Sequence, residues 1–154
     1  MKQTPEETIM MDNFLPGKIS KDGFLGDDTR HLHDIITEDD KSLSRLGVSR
    51  ADIAARLQFL IDEGKKGLES EVRIKGYQIR LQWDRGMIPC PFGDKPLHYK
   101  ITAEVTRSAD QTRLVFSQLS VHLIEKHGFF GGLGSRNRLE PRVVVVFLSD
   151  IGSD

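Results

Sequence analysis

A chain of 154 residues, 38% hydrophobic and 29% charged, is long enough to bury one real core without covalent staples. Its longest apolar run, Val143 to Leu148, is too short to span a bilayer, and the opening MKQTPEETIMMDNF lacks the apolar core of a signal peptide. Cys90 is the only cysteine, so no internal disulfide can form, and a cytoplasmic, reducing setting is expected.

The net charge of −1 is unevenly spread. Residues 1–40 hold four Lys/Arg and ten Asp/Glu (−6), whereas residues 41–154 hold eighteen and thirteen (+5). An acidic arm packed on or near a more basic body accounts for this split, as does an arm that screens a site for an anionic partner.

In chain order, residues 1–26 read as an irregular arm, and residues 27–154 as a single α+β domain. Pro5, Pro16, Gly17, Gly23 and Gly26 punctuate the arm. Its first ten or so residues are expected to be mobile, and FLPGKISKDGFLG to lie extended across the body. Asp27, Asp28 and Thr29 offer N-caps for a helix carrying Leu32, Ile35, Ile36, Leu43 and Leu46, with Gly47 as its stop. SRADIAARLQFLIDEG is the strongest helical signal. Ser49 caps it, Asp52 suits the positive end of the dipole, and Ile53, Leu57, Leu60 and Ile61 form the apolar stripe before Gly64 at C′.

The period then falls to two. Val72 and Ile74 alternate, Gly76 marks a bulge or turn tip, and Tyr77, Ile79, Leu81 and Trp83 alternate again. DRGMIPCPFGDKP reads as a loop. Leu97, Tyr99, Ile101, Ala103 and Val105 form the next strand, SADQT a hairpin turn, and RLVFSQL the returning strand. Ser120 can cap a short helix to His127, closed by Gly128. LEPRVVVVFL conflicts with itself, because Pro141 suits the first turn of a helix while four valines favour a strand; the valines tip the reading to strand. The fold expected is therefore α+β, with two N-terminal helices packed on an antiparallel sheet of about four strands and a short third helix.

Four side chains have metal-ligand chemistry: Cys90, His98, His122 and His127. A thiolate and neutral imidazoles suit zinc, and four such groups can close a tetrahedron. A cysteine loop, a hairpin and a helix bearing H-x4-H follow one another in the order of a zinc finger. However, no second cysteine lies near Cys90, and residues five apart on an ideal α-helix diverge by about 140°. His122 and His127 converge only if the last turn before Gly128 unwinds.

Gly131, Gly132, Gly134, Ser135, Arg136 and Arg138 form a second candidate, a glycine-rich loop with two guanidinium groups that can present donors to an anion. It lacks the flanking pattern of a phosphate loop, and the helix end before it repels anions. LGVSRADIA resembles the turn of helix-turn-helix repressors. Leu43 nevertheless fills the place where such motifs need a small residue, and Arg50 and Arg56 are few cations beside Glu38, Asp39 and Asp40. Cys90 with a histidine, or Asp84 or Asp94 with His98, offers nucleophile–base or acid–base chemistry without a supporting motif. Phe129 and Phe130 offer an aromatic anchor or a partner surface. The leading expectation is a small domain that binds a ligand or protein partner without chemistry of its own. A zinc-dependent or cysteine-based enzyme ranks second, and a nucleic-acid-binding regulator third. Any functional pocket is expected between PCPFGDK and the end of the third helix.

Overall fold

A computed structural model describes residues 10–68 and 70–151; the expectation of mobility for the first residues falls largely on 1–9, outside that range. The architecture is α+β. Helices α1 (Leu32–Leu46) and α2 (Arg50–Lys65) precede strands β1 (Val72–Ile74), β2 (Tyr77–Ile88), β3 (His98–Arg107) and β4 (Arg113–Ser117). Helix α3 (Gln118–His122) runs straight into a π-turn at Leu123–His127, and α4 (Pro141–Phe147) ends in a 3-10 turn at Leu148–Asp150.

The sheet is an antiparallel meander in the order β1-β2-β3-β4. Gly76, at φ +84, is the tip of the first turn. The long pair β2–β3 keeps one register from Tyr77↔Arg107 to Asp84↔Lys100, then shifts across a bulge to Met87↔Tyr99 and Ile88↔His98. The pairing thus reaches further than alternation in the sequence implies. It carries the strand ends, and the 89–97 connection between them, toward α3.

Helix α2 packs on one face of the sheet through Ile53, Ala54, Leu57, Leu60 and Ile61, opposite Tyr77, Ile79, Ile101, Ala103 and Val105. Ser49 caps α2 as expected, its hydroxyl accepting the Asp52 N–H at 3.1 Å. Gly64 is not a cap. The helix continues to Lys65, and a Cβ at Gly64 would stand 2.8 Å from Ile79 Cγ2 and 2.8 Å from Leu81 Cγ. Glycine suits this position because a Cβ here would crowd the side chains of Ile79 and Leu81 on the sheet.

Two other expectations change. Helix α1 starts at Leu32 rather than after Asp28, because the Asp28 carboxylate is engaged by the Arg30 backbone, the Arg30 guanidinium and the Leu133 N–H. The valine-rich segment is the helix α4. Pro141 occupies its first turn, and Pro141, Val144 and Phe147 turn inward at helical spacing, while Val143 and Val146 face solvent. Its N-terminal proline and the three-residue inward period outweigh β-propensity here.

A second apolar cluster joins the arm to the body. Phe14, Phe24 and Leu25 meet Leu32 and Ile35 of α1, Cys90, Leu119, Leu123 and Phe129. The arm is a plug, but not an extended one: its chain runs in turns, and Phe24 N–H returns to donate to Phe14 O at 2.9 Å, closing a loop over the intervening residues.

Gly64→Ala tests the helix–sheet contact. The substitution gains up to about 1 kcal/mol of helix propensity but forces Ile79 and Leu81 aside, and overpacking of this kind costs about 1–3 kcal/mol. A net loss of stability is expected in chemical denaturation; an increase would mean the contact is slack.

Candidate metal centre

Two chain segments build the site. The first is the connection after β2, where Gly93 N–H donates to Cys90 O at 2.9 Å across Pro91 and Phe92. Proline at the second position and glycine at the fourth favour such a turn. It folds Asp94 back toward Cys90. The second segment is α3 and its extension. Ser117 caps α3 in a reciprocal capping box with Ser120, one turn earlier than the expected Ser120 cap.

The helix then widens over Leu123–His127 and closes at Gly128, φ +65, whose N–H donates to Ile124 O, while Phe129 N–H donates to Leu123 O. The wider i→i+5 turn overcomes the helical divergence of His122 and His127. Residues five apart come to one face, and both rings reach the Cys90–Asp94 turn.

Sγ of Cys90, a carboxylate oxygen of Asp94, and one ring nitrogen each of His122 and His127 all lie within 4.8 Å of one another. Cys90 Sγ is 3.7 Å from His127 Nε2. Asp94 Oδ2 is 2.9 Å from His122 Nε2 and 3.1 Å from His127 Nε2. His122 Nε2 is buried without the alignment a hydrogen bond needs, despite that short separation. Among the described residues, the buried side-chain polar atoms without a hydrogen-bond partner are Asp94 Oδ1, His98 Nε2 and His122 Nε2, all in this corner.

Packing fixes the rings. Phe92 stacks on His127 with centroids 4.0 Å apart and planes 11° from parallel, and His98 lies 4.3 Å from His122, centroid to centroid. Burial, and after it the Asp94 carboxylate, pushes the Cys90 thiol up to about 12. Burial opposes ionisation of Asp94 as well, but the Cys90 thiol and His127, then His122, outweigh it and hold that carboxyl down at about 2. Burial, and after it the neighbouring His122, lowers His98 below the ordinary imidazole value.

Of the four expected ligands, the structure thus brings Cys90, His122 and His127 together and sets His98 beside them. Asp94, which the sequence offers only as an acid–base partner of His98, belongs to the donor set. Its signal was the short Pro-Phe-Gly spacing after Cys90, which turns the chain back on itself.

The other candidates are differently placed. Phe129 and Phe130 are each 2% exposed, so they cannot form a partner surface; they are core. In the glycine loop, Gly132 N–H donates to Phe24 O, Leu133 N–H to Asp28 and Ser135 N–H to Gly132 O. Arg138 is buried in a two-pronged pair with Asp39 and also donates to Gly131 O and Glu140. A Cβ on Gly132 would stand 2.2 Å from Leu25 O, so this glycine serves the close crossing of loop and arm. Gly131 and Gly134 hold positive φ, and Arg136 is largely exposed, 3.5 Å from Asp22. The donors of Gly132, Leu133, Ser135 and Arg138 are used inside the protein, while Arg136 faces solvent. Arg50 pairs with Asp40, and Arg56 with Asp52 and the carbonyls of Leu148 and Ile151.

Comparison of the chain with protein-family models, with curated proteins and with solved structures gives no match. No helix of the described residues is long and apolar enough to cross a membrane.

Arg138→Ala leaves the buried Asp39 carboxylate unpaired, and breaking such a pair costs about 3–5 kcal/mol. A large drop in the denaturation midpoint is expected. A stability change below about 1 kcal/mol would show that Arg138 is available to another partner.

Proposed function

We propose that this protein is a zinc-binding domain whose metal is held by Cys90, Asp94, His122 and His127. It is a ligand-binding module in which the ligand is the ion. The observation that carries this reading is the convergence of four donors of different kinds on one point, with buried donor atoms there that satisfy no hydrogen bond. Zinc bond lengths in tetrahedral geometry place neighbouring donors about 3.3–3.7 Å apart. Three of the separations, 2.9, 3.1 and 3.7 Å, are within a few tenths of an ångström of that range, and the four donor atoms, spread over up to 4.8 Å, would have to draw in around the ion. Sulfur and imidazole nitrogen select zinc over calcium or magnesium, which take oxygen donors.

The thiol bears on how the site would load. Raised to about 12, it is protonated at neutral pH when no metal is present, and zinc would have to displace that proton. Binding releases it, so affinity rises with pH, by about tenfold per pH unit for each proton released. Calorimetry with zinc in buffers of different ionisation enthalpy measures that release. Zinc binding without proton release, or no binding at micromolar protein, would overturn the assignment.

Cobalt(II) reports the geometry. The wild-type protein is expected to give the intense visible bands of a tetrahedral site together with thiolate-to-cobalt charge transfer. Cys90→Ser should abolish the charge transfer, and His122→Ala or His127→Ala should weaken metal affinity by at least about tenfold. Charge transfer surviving Cys90→Ser would remove the sulfur from the site.

A further inference from the structure

Strand β1 is three residues long and pairs with β2 only from Tyr77 to Ile79. Beyond it, β2 runs on from Arg80 to Asp84 in register with β3, and a bulge at Arg85 and Gly86 then breaks the ladder. Arg107 N–H donates to Thr112 O, toward β4, so the even-numbered residues of β3 bond to β2. Their register partners Gln78, Arg80 and Gln82 are even-numbered too. The N–H and C=O groups of Leu81 and Trp83 therefore point the other way, past the end of β1. Among the described residues no strand receives them.

The side chains along this free edge are exposed as well. Leu81 and Trp83 stand on the face that carries α2, where they line an open hollow of about 740 Å³ with Leu68 and Lys65. Trp83 is 55% exposed and Leu68 82%. A free strand edge flanked by large apolar side chains is a template for another strand. On the opposite face, Arg80 lies across from Glu104, but Glu104 pairs with Arg113 at 2.6 Å. The Arg80 guanidinium thus has no partner among the described residues, and Asp84 accepts only the Gln82 amide, at 3.2 Å.

We propose that this edge pairs with the same edge of a second copy of the chain, antiparallel about Gln82, to form a two-fold dimer. Arg-Leu-Gln-Trp-Asp, residues 80–84, is its own complement in that register. Leu81 lies opposite the partner's Trp83, whose indole enters the hollow, and Arg80 lies opposite the partner's Asp84. The two-fold axis makes each contact twice, and four backbone hydrogen bonds close the two Leu81–Trp83 pairs. Moving to the next hydrogen-bonded register in either direction sets Arg80 and Asp84 opposite uncharged residues. The lengths agree too. Each copy's bulge falls where the other copy's β1 begins, and a bulge bends the strand away and ends its pairing. The zinc reading plays no part in this contact.

A contact this short is below the size of a stable interface, so a dissociation constant on the order of 100 µM is expected. Sedimentation equilibrium of the full chain from about 10 µM to about 1 mM measures it. Emission from Trp83, the sole tryptophan, gives a second readout, shifting to the blue as the indole leaves water. Arg80→Asp and Asp84→Arg should each weaken association by at least about tenfold, because each sets like charges across both ends of the pairing. The double variant should regain it. Within each sheet the swaps also set a carboxylate opposite Glu104 and a guanidinium opposite Lys100. The double variant carries that cost in full, so its recovery can come only from contacts between copies, and it shows that the swapped strand folds. A wild-type protein that stays monomeric at about 1 mM overturns the proposal. So does a dimer that either single swap leaves intact, or that the double swap fails to restore.

Discussion

One turn of helix organises this molecule. Over Leu123–His127 the backbone widens from α to π before Gly128 stops it in the left-handed region. A regular α-helix of the same sequence would point His127 well away from His122. The widened turn sets both imidazoles over the same loop, and its closing bond from Phe129 N–H to Leu123 O drives Phe129 into the second apolar cluster. The placement of the donors and the anchoring of the arm thus depend on the same few backbone hydrogen bonds. Isolated π-turns inside α-helices are frequently found at functional sites, because the helix gives up regular bonding to re-aim side chains.

The other half of the corner is held by aromatic packing. Phe14 of the arm meets Phe24, Phe92 and Phe129 edge-on, at centroid distances of 5.8, 4.9 and 5.3 Å. Phe92 in turn lies flat on His127. Asn13 Nδ2 donates to Pro91 O at 3.2 Å, tying the arm to the loop that carries Cys90 and Asp94. The irregular N-terminal segment is therefore part of the construction of the site. It clamps the loop from one side while α3 holds it from the other. Cys90 has a double character for the same reason: it is core beside Leu119 and Leu123, and its sulfur lies 3.7 Å from His127 Nε2.

Charge is arranged around this clamp. The acidic excess of residues 1–40 meets basic residues of the body in particular pairs, chiefly Asp39 with Arg138 and Asp40 with Arg50. Asp28, held by Arg30 and the Leu133 N–H, has its carboxyl lowered to about 2 and remains ionised over the physiological range. Asp39 and Asp40 lie on α1 rather than in the arm, whose own contact with the basic body is Asp22 at 3.5 Å from Arg136. The pairs engage Arg138, Arg50 and Arg56 within the fold, while Arg136 is largely exposed.

The sequence by itself determined the elements whose signals are local. Ser49 capping a helix with Ile53, Leu57, Leu60 and Ile61 inward, the turn at Gly76, the alternation of β3 and the stop at Gly128 all follow from neighbours a few residues apart. It also identified three of the four converging donors, because thiol and imidazole chemistry is legible in residue type. Only the tertiary structure decided the rest. Gly64 reads as a helix stop until Ile79 and Leu81 are seen against it, and the four valines read as a strand until Val144 and Phe147 turn inward. Phe129 and Phe130 read as an aromatic anchor or a partner surface until both are seen buried, Phe129 against the arm and Phe130 in the core between helix and sheet. Asp94 became a donor, and His98 a neighbour, through one backbone bond after Cys90 and one widened helical turn. Residue chemistry is written at each position, but a site needs directions in space, and those are set by contacts between segments that the chain order keeps far apart.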